Sequence, residues 1–193
     1  MFDEGDSAGE FDGDQAVVGL EHEHRVGGGG LLDVGEDALD ALRGHGAVDE
    51  AQAALGWARS LSEPSSRVND ILVGLERDLW VLMSEVATLD ENRHKLVDGA
   101  TRVSAAMVEH LEGLIDDLSN DIEMPEEFVV PGETQLAAAL DVARTVVRRA
   151  ERRAVAFARQ DSLVVAYLNR LSDLVWTLAR WAEGPQHRTT RDL

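Results

Sequence analysis

"TQLAAALDVARTVVRRAERRAVAFAR", Thr134–Arg159, contains no proline or glycine and repeats apolar residues every three or four positions. That period is helical. Thr134, just ahead of the first periodic residue, carries a side chain that can cap the helix. Val142, Val146, Ala150, Ala154 and Phe157 form an apolar stripe, and Arg144, Arg148 and Arg152, four apart, line another face. Three guanidiniums in a row repel one another unless anions lie between them. Glu151, three residues after Arg148, neutralises part of that charge, and a partner helix or a bound polyphosphate would supply the rest. The planar fork of arginine suits phosphate. The plain alternative is a solvated charged face, and spacing alone leaves both open.

The same helical period extends in both directions. Downstream, about Ser162 to Ala182 carries Leu168, Leu171, Leu174, Val175 and Leu178 as a core stripe, with Asn169 and Asp173 on a second face. Gly184-Pro185 stops it. Upstream, "SNDIEMPEEFVVPGE" holds Pro125 and Pro131, which exclude a continuous helix, and "FVV" is too short for a strand. Before it come a helix over about Ser104 to Leu118, a loop "DENRHKLVDGA", a helix over about Ser66 to Leu89, and a Pro/Ser break at "SEPSS". A further helix starts near Asp49, in "VDEAQAALGWARSL". Five helices with short connections predict an all-α fold, a five-helix antiparallel bundle over residues 47–184, with 185–193 as a tail. Residues 1–46 are Gly-rich and acidic and read as an irregular arm, in which "GEDALDALRG" suits a short helix.

The 193-residue length suits one domain. A formal net charge of -19 argues against general nucleic-acid binding, because the mean field repels phosphate, although a local anion pocket is compatible with it. Lys95 is the only lysine, so nearly all cationic chemistry falls to arginine. Without cysteine there is no disulfide, thiolate nucleophile or Cys-based metal site, which fits a reducing compartment. No run of 18 apolar residues predicts a membrane span, and "MFDEGDSAGE" does not resemble a secretory signal. The expected location is the cytoplasm, with no membrane partner.

"EHEH", Glu21 to His24, and "ENRH", Glu91 to His94, have metal-ligand character. The second lacks the matching Glu-x-x-His of a di-iron bundle, and no metal-ligating set is assigned. Trp57, Trp80, Trp176 and Trp181 read as core or interface anchors.

"FVVPGETQLAAALDVARTVVRRAERRAVAFAR" followed by "YLNRLSDLVWTLARW" resembles the PduO-type ATP:cob(I)alamin adenosyltransferases. The carrying blocks are RRAER, Arg148 to Arg152, and NRLSD, Asn169 to Asp173. "HGAVDEAQAALGWAR" is also similar to a segment of that family, and the resemblance runs from about Gly46 to Trp181. It implies a trimer of five-helix bundles with ATP sites between subunits. Cob(I)alamin, or a cob(I)yrinate precursor, would attack C5′ of ATP and release triphosphate. Mg2+ would accompany the nucleotide, and a cob(II) reductase is a possible partner.

By matching position, the resemblance assigns Arg148, Arg149, Glu151, Arg152 and Asn169 to ATP, with Arg148 and Arg152 catalytic through stabilisation of the leaving triphosphate. It pairs Arg144 with Asp49 of a neighbouring subunit. It places Phe128 and Asp173 at the corrinoid, where the phenylalanine would exclude the lower axial ligand and ease reduction of cobalt. The plain alternatives are a core aromatic for Phe128 and a helix-terminal charge for Asp49.

The family's Gly-rich phosphate loop, T-x-T-G-D-x-G-x-T, has no counterpart here. "DGDQAVVGL", Asp12 to Leu20, keeps only Gly13-Asp14 and Gly19-Leu20, and Glu133 replaces the second glycine of P-G-G. A loop that cradles triphosphate needs free backbone N–H groups. Divergence and a misplaced start both account for the difference. The sequence therefore supports an adenosyltransferase, with a non-catalytic bundle homologue as the alternative.

Overall fold

A computed structural model describes residues 36–185 and 188–190, with backbone only for 36–41 and 157. Five α-helices follow in order: α1 Glu36–Ser60, α2 Arg67–Ala87, α3 Ala105–Asp121, α4 Gln135–Phe157 and α5 Val164–Glu183. Of the irregular arm proposed for residues 1–46, residues 1–35 lie outside the described residues and 36–46 are helical instead.

α1 begins well upstream of Asp49 and takes "EDALDALRG", Glu36 to Gly44, into one continuous helix. Gly44 and Gly46 each cost about 1 kcal/mol in a helix interior, but the chain has no proline between them and Pro64. Packing offsets the glycine cost, because Ala47, Val48, Ala51, Leu55 and Ala58 are all buried.

The starts of α2, α3 and α4 share one device. Ser66, Ser104 and Thr134 each stand in extended backbone, and their hydroxyls accept from the N–H of Asn69, Met107 and Ala137. Thr134 is the cap that its sequence position predicts. Pro64 and Ser65 (φ 73°) make the break before α2.

The "DENRHKL" connection contains a 3-10 helix, Asp90–Lys95, rather than a plain loop. It is tied back to α2 by Glu85, which is buried and accepts from the Val103 N–H (2.8 Å) and from Arg93 Nη2 (3.4 Å). Glu91 and His94 are exposed in this turn, and no group of three or more His, Asp or Glu able to hold a metal occurs among the described residues.

α1 packs on α2 and α4, α4 on α5, and α5 on α3, with α2 also touching α5. The core is mainly leucine, valine and alanine: Leu72, Leu75, Leu79 and Leu82 of α2, Leu111 and Leu118 of α3, and Leu168, Leu171, Leu174, Val175 and Leu178 of α5. The α4 stripe is rotated from its expected position. Ala139, Leu140, Ala143, Val147, Ala150 and Ala154 are buried, Val146 packs beside them, and Val142 is exposed. A residue next to a buried one lies about 100° around the helix, which turns Val142 away once Ala143 faces the core. Trp57 and Trp80 are 51% and 64% exposed, so they are not core anchors within one chain.

One polar pair crosses the core. Tyr167 of α5 is fully buried, and its hydroxyl donates to Asp78 Oδ2 of α2 at 2.9 Å. Burial pushes the Asp78 carboxyl above its ordinary 3.8, opposed by the Tyr167 bond and the positive charge of His110. Burial and the carboxylate raise the Tyr167 phenol and keep it protonated. Because the folded carboxyl has the higher pKa, the fold binds the proton more tightly than the unfolded chain. The stability this gives at low pH is lost as pH rises from 3.8 through the raised folded value.

Tyr167→Phe removes the donor from the ionised carboxylate and is expected to cost about 1.5–3 kcal/mol at pH 7. The loss should shrink once Asp78 is protonated. Denaturant unfolding at neutral and acidic pH measures both effects, and equal losses at the two would show that the bond is not to the carboxylate.

Candidate functional site

A cavity of about 560 Å³ opens between α3, α4, α5 and the segment that joins α3 to α4. Arg144 and Arg148 form its α4 wall; Ser172, Asp173, Trp176 and Thr177 form its α5 wall. Ile115 and Ser119 of α3 and Met124 of the connection complete it. The α5 set follows helical arithmetic: residues i, i+1, i+4 and i+5 share one face.

Each i+4 step advances a helical side chain by about 40° beyond a full turn. Arg144 and Arg148 therefore both reach the cavity, whereas Arg152, one step further, is exposed and does not line it. Arg152 has no ion pair among the described residues. Arg149 faces α1, where its Nη2 lies 2.9 Å from Glu50 Oε2.

Arg148, Glu151 and Asn169 form one connected row. Arg148 Nη1 lies 2.6 Å from Glu151 Oε2, a charge contact outside hydrogen-bond alignment. Asn169 Nδ2 donates to the other oxygen, Oε1, at 2.9 Å. The carboxylate is thus held from α5 and in turn holds the arginine on α4. Asp173 faces the cavity and accepts from Arg170 Nη1 at 2.8 Å, and Arg170 also pairs with Glu112 of α3 at 3.1 Å.

Arg144 is the least satisfied of these groups. Its Nε is buried without a hydrogen-bond partner, and the nearest carboxylate oxygen, Asp141 Oδ1, is 3.9 Å away. A buried donor without a partner calls for an explanation, and an anion in the cavity would provide one. Asp49 is exposed on α1 and does not pair with Arg144 within the chain.

Behind the cavity wall lies a buried charge network that sequence reading missed. Arg180 is 2% exposed; its Nη2 contacts Asp141 Oδ2 at 2.7 Å and Glu183 Oε1 at 3.0 Å. Its Cζ also lies 6.0 Å from the Trp176 ring centroid, and Trp176 lines the cavity. Phe128 sits four residues beyond Met124 in the connecting segment and is 85% exposed.

The sequence matches the cobalamin adenosyltransferase family over residues 38–182, which contain every residue that lines this cavity. The chain belongs to that family. It is 36% identical to the corrinoid adenosyltransferase of Mycobacterium tuberculosis over 180 residues, covering 88% of this chain and 85% of the relative. The Bacillus subtilis corrinoid adenosyltransferase is 30% identical over 155 residues, covering 76% of this chain and 77% of that one. Among solved structures, a variant of the PduO-type ATP:corrinoid adenosyltransferase from Lactobacillus reuteri, complexed with cobalamin and ATP, superposes with a TM-score of 0.68. It shares 31% identity and covers 79% of this chain and 86% of its own. The likeness to that family thus extends from the sequence to the helical bundle.

Proposed function

We infer that this protein is an ATP:corrinoid adenosyltransferase that transfers the 5′-deoxyadenosyl group of ATP to a cob(I) corrinoid. The observation that carries the reading is the convergence of Arg144 and Arg148 on one cavity with the Asn169–Glu151–Arg148 row beside it. The electron pair of cob(I) forms a bond to C5′, and the C5′–O bond breaks with its electrons on triphosphate. The corrinoid is alkylated, and the charge that must be stabilised develops on the leaving phosphate.

Arg148 would meet that charge, with Arg144 next to it on the wall. Glu151, held by Asn169, would help to orient Arg148 before the nucleotide arrives. Arg152 would have to meet phosphate from the open side, and Arg149 would have to leave Glu50 to reach it. Mg2+ would travel with the polyphosphate, whose oxygens and bound water supply most of its ligands. Phe128, with Asp173, belongs to the corrinoid side of this proposal. Bound over the lower face, Phe128 would keep the axial ligand off and make cobalt easier to reduce.

A homotrimer belongs to the same reading, with Asp49 of one subunit meeting Arg144 of the next. Its support is that, among the described residues, Asp49 has no ion pair and Arg144 has only the 3.9 Å contact to Asp141, and that Trp57 and Trp80 expose large apolar surfaces. A reductase that delivers cob(I) and a cytoplasmic location complete the proposal. No helix among the described residues is long and apolar enough to cross a membrane.

The deciding experiment is anaerobic incubation with cob(I)alamin and MgATP, following loss of the cob(I) absorbance and separating adenosylcobalamin by chromatography. Product above a protein-free control is expected. No product from folded, oligomeric protein would make it a non-catalytic bundle of the family.

A further inference from the structure

The segment that presents Phe128 is tied down by the other end of the described chain. α5 ends at Gly184, whose φ of 67° turns the backbone out of the helix. Residues 188–190 then run antiparallel to residues 128–130, with a bridge between Val129 and Thr189. The Val130 N–H donates to the Arg188 carbonyl at 2.8 Å, and the Thr190 N–H donates to the Phe128 carbonyl at 3.0 Å. The Arg188 Nε also lies 3.2 Å from Glu133 Oε1. Glu133 is the position at which this sequence departs from the P-G-G pattern, and the departure supplies the carboxylate that Arg188 meets.

An apolar ring that is 85% exposed gains nothing from its own fold. On a free loop it would turn inward or sample many orientations. Two backbone hydrogen bonds fix the main chain on both sides of Val129 while leaving the Phe128 ring outside. Ordering a segment in advance removes that entropy cost from the later binding step.

We propose that residues 188–190 act as a strap that positions Phe128 for the corrinoid, with Arg188 and the Thr190 N–H as its positioning groups. The proposal rests on the assignment of Phe128 to the corrinoid side. The strap would act on the corrinoid half of the reaction only, because it holds the α3–α4 connection and not the arginine wall of α4.

Three variants test it: Thr190→Pro, which deletes the donor to Phe128; a chain ending at Gly184; and Phe128→Ala. Thr190→Pro and the shortened chain are expected to raise KM for cob(I)alamin about tenfold, the equivalent of ordering roughly one residue. KM for ATP should stay within about twofold of the parent, since the α4 wall is unchanged. The four-coordinate cob(II) absorbance formed with bound ATP should weaken in the same variants. An increase in both KM values, or an unchanged corrinoid KM in Thr190→Pro while Phe128→Ala raises it, would overturn the strap. An unchanged corrinoid KM in Phe128→Ala would overturn the assignment of that phenylalanine and the strap with it.

Discussion

Arg148→Ala is expected to lower turnover by about 100- to 1000-fold, the usual effect of deleting one preorganised charge-stabilising donor. The fold should survive. Arg148 is half-exposed, and its one ion pair, to Glu151, is a neighbour on the same helix. Glu151 is only 12% exposed, but Asn169 still donates to its carboxylate after the arginine has gone, so the cost should stay near that of a surface pair, about 1 kcal/mol. Loss of function without loss of stability is therefore the signature to look for.

Arg148→Lys sharpens the test, because it keeps the charge and removes the planar fork. If the fork matters, lysine should recover only part of the activity and bind triphosphate more weakly than arginine. Calorimetric titration with MgATP and with triphosphate, beside a thermal melt, separates these effects. Unchanged affinity in Arg148→Ala would move the phosphate site away from this wall.

The bundle was readable because apolar period and capping residues act locally. Thr134 caps α4 as its position suggests, and all five leucine and valine positions assigned to the α5 stripe are buried. The Arg148–Glu151 contact likewise follows from i,i+3 spacing. What failed depended on neighbouring helices. Val142 lies on the stripe by period, yet the rotation of α4 against α1 and α5 exposes it. The start of α1 falls upstream of the expected Asp49 because residues 1–46 are Gly-rich and acidic and show no persistent period, and only burial of Ala47 and Val48 shows how the helix runs through Gly44 and Gly46.

Within the site, the row of arginines spaced by four was visible but its division was not. A 40° drift at each step turns Arg152 off the wall, and Arg149 is committed to Glu50 of α1. Trp176 and Met124 were hidden for different reasons. The tryptophan resembled a core anchor, and the methionine lies in a proline-bounded segment with no period to read.

The second large effect concerns stability. Arg180→Met is expected to destabilise the fold by about 3–5 kcal/mol, because it takes from the buried carboxylates of Asp141 and Glu183 the guanidinium that both contact within 3 Å. The cost comes from the burial of two carboxylates that lose their shared guanidinium more than from the lost attraction. The combined variant Asp141→Leu, Arg180→Met, Glu183→Leu should therefore recover much of the stability, since apolar replacement of a whole buried network is often neutral. Denaturant unfolding of the single and triple variants measures both. A triple variant as unstable as the single one would mean that the network holds helix geometry which apolar side chains cannot reproduce.

The triple variant also separates folding from function. Asp141 Oδ1 is the nearest carboxylate oxygen to the Arg144 Nε, and the Trp176 ring lies beside Arg180 while lining the cavity. Restored stability with a raised KM for ATP would show that the network's remaining role is to aim the α4 wall. Full recovery of both would make it a purely structural device.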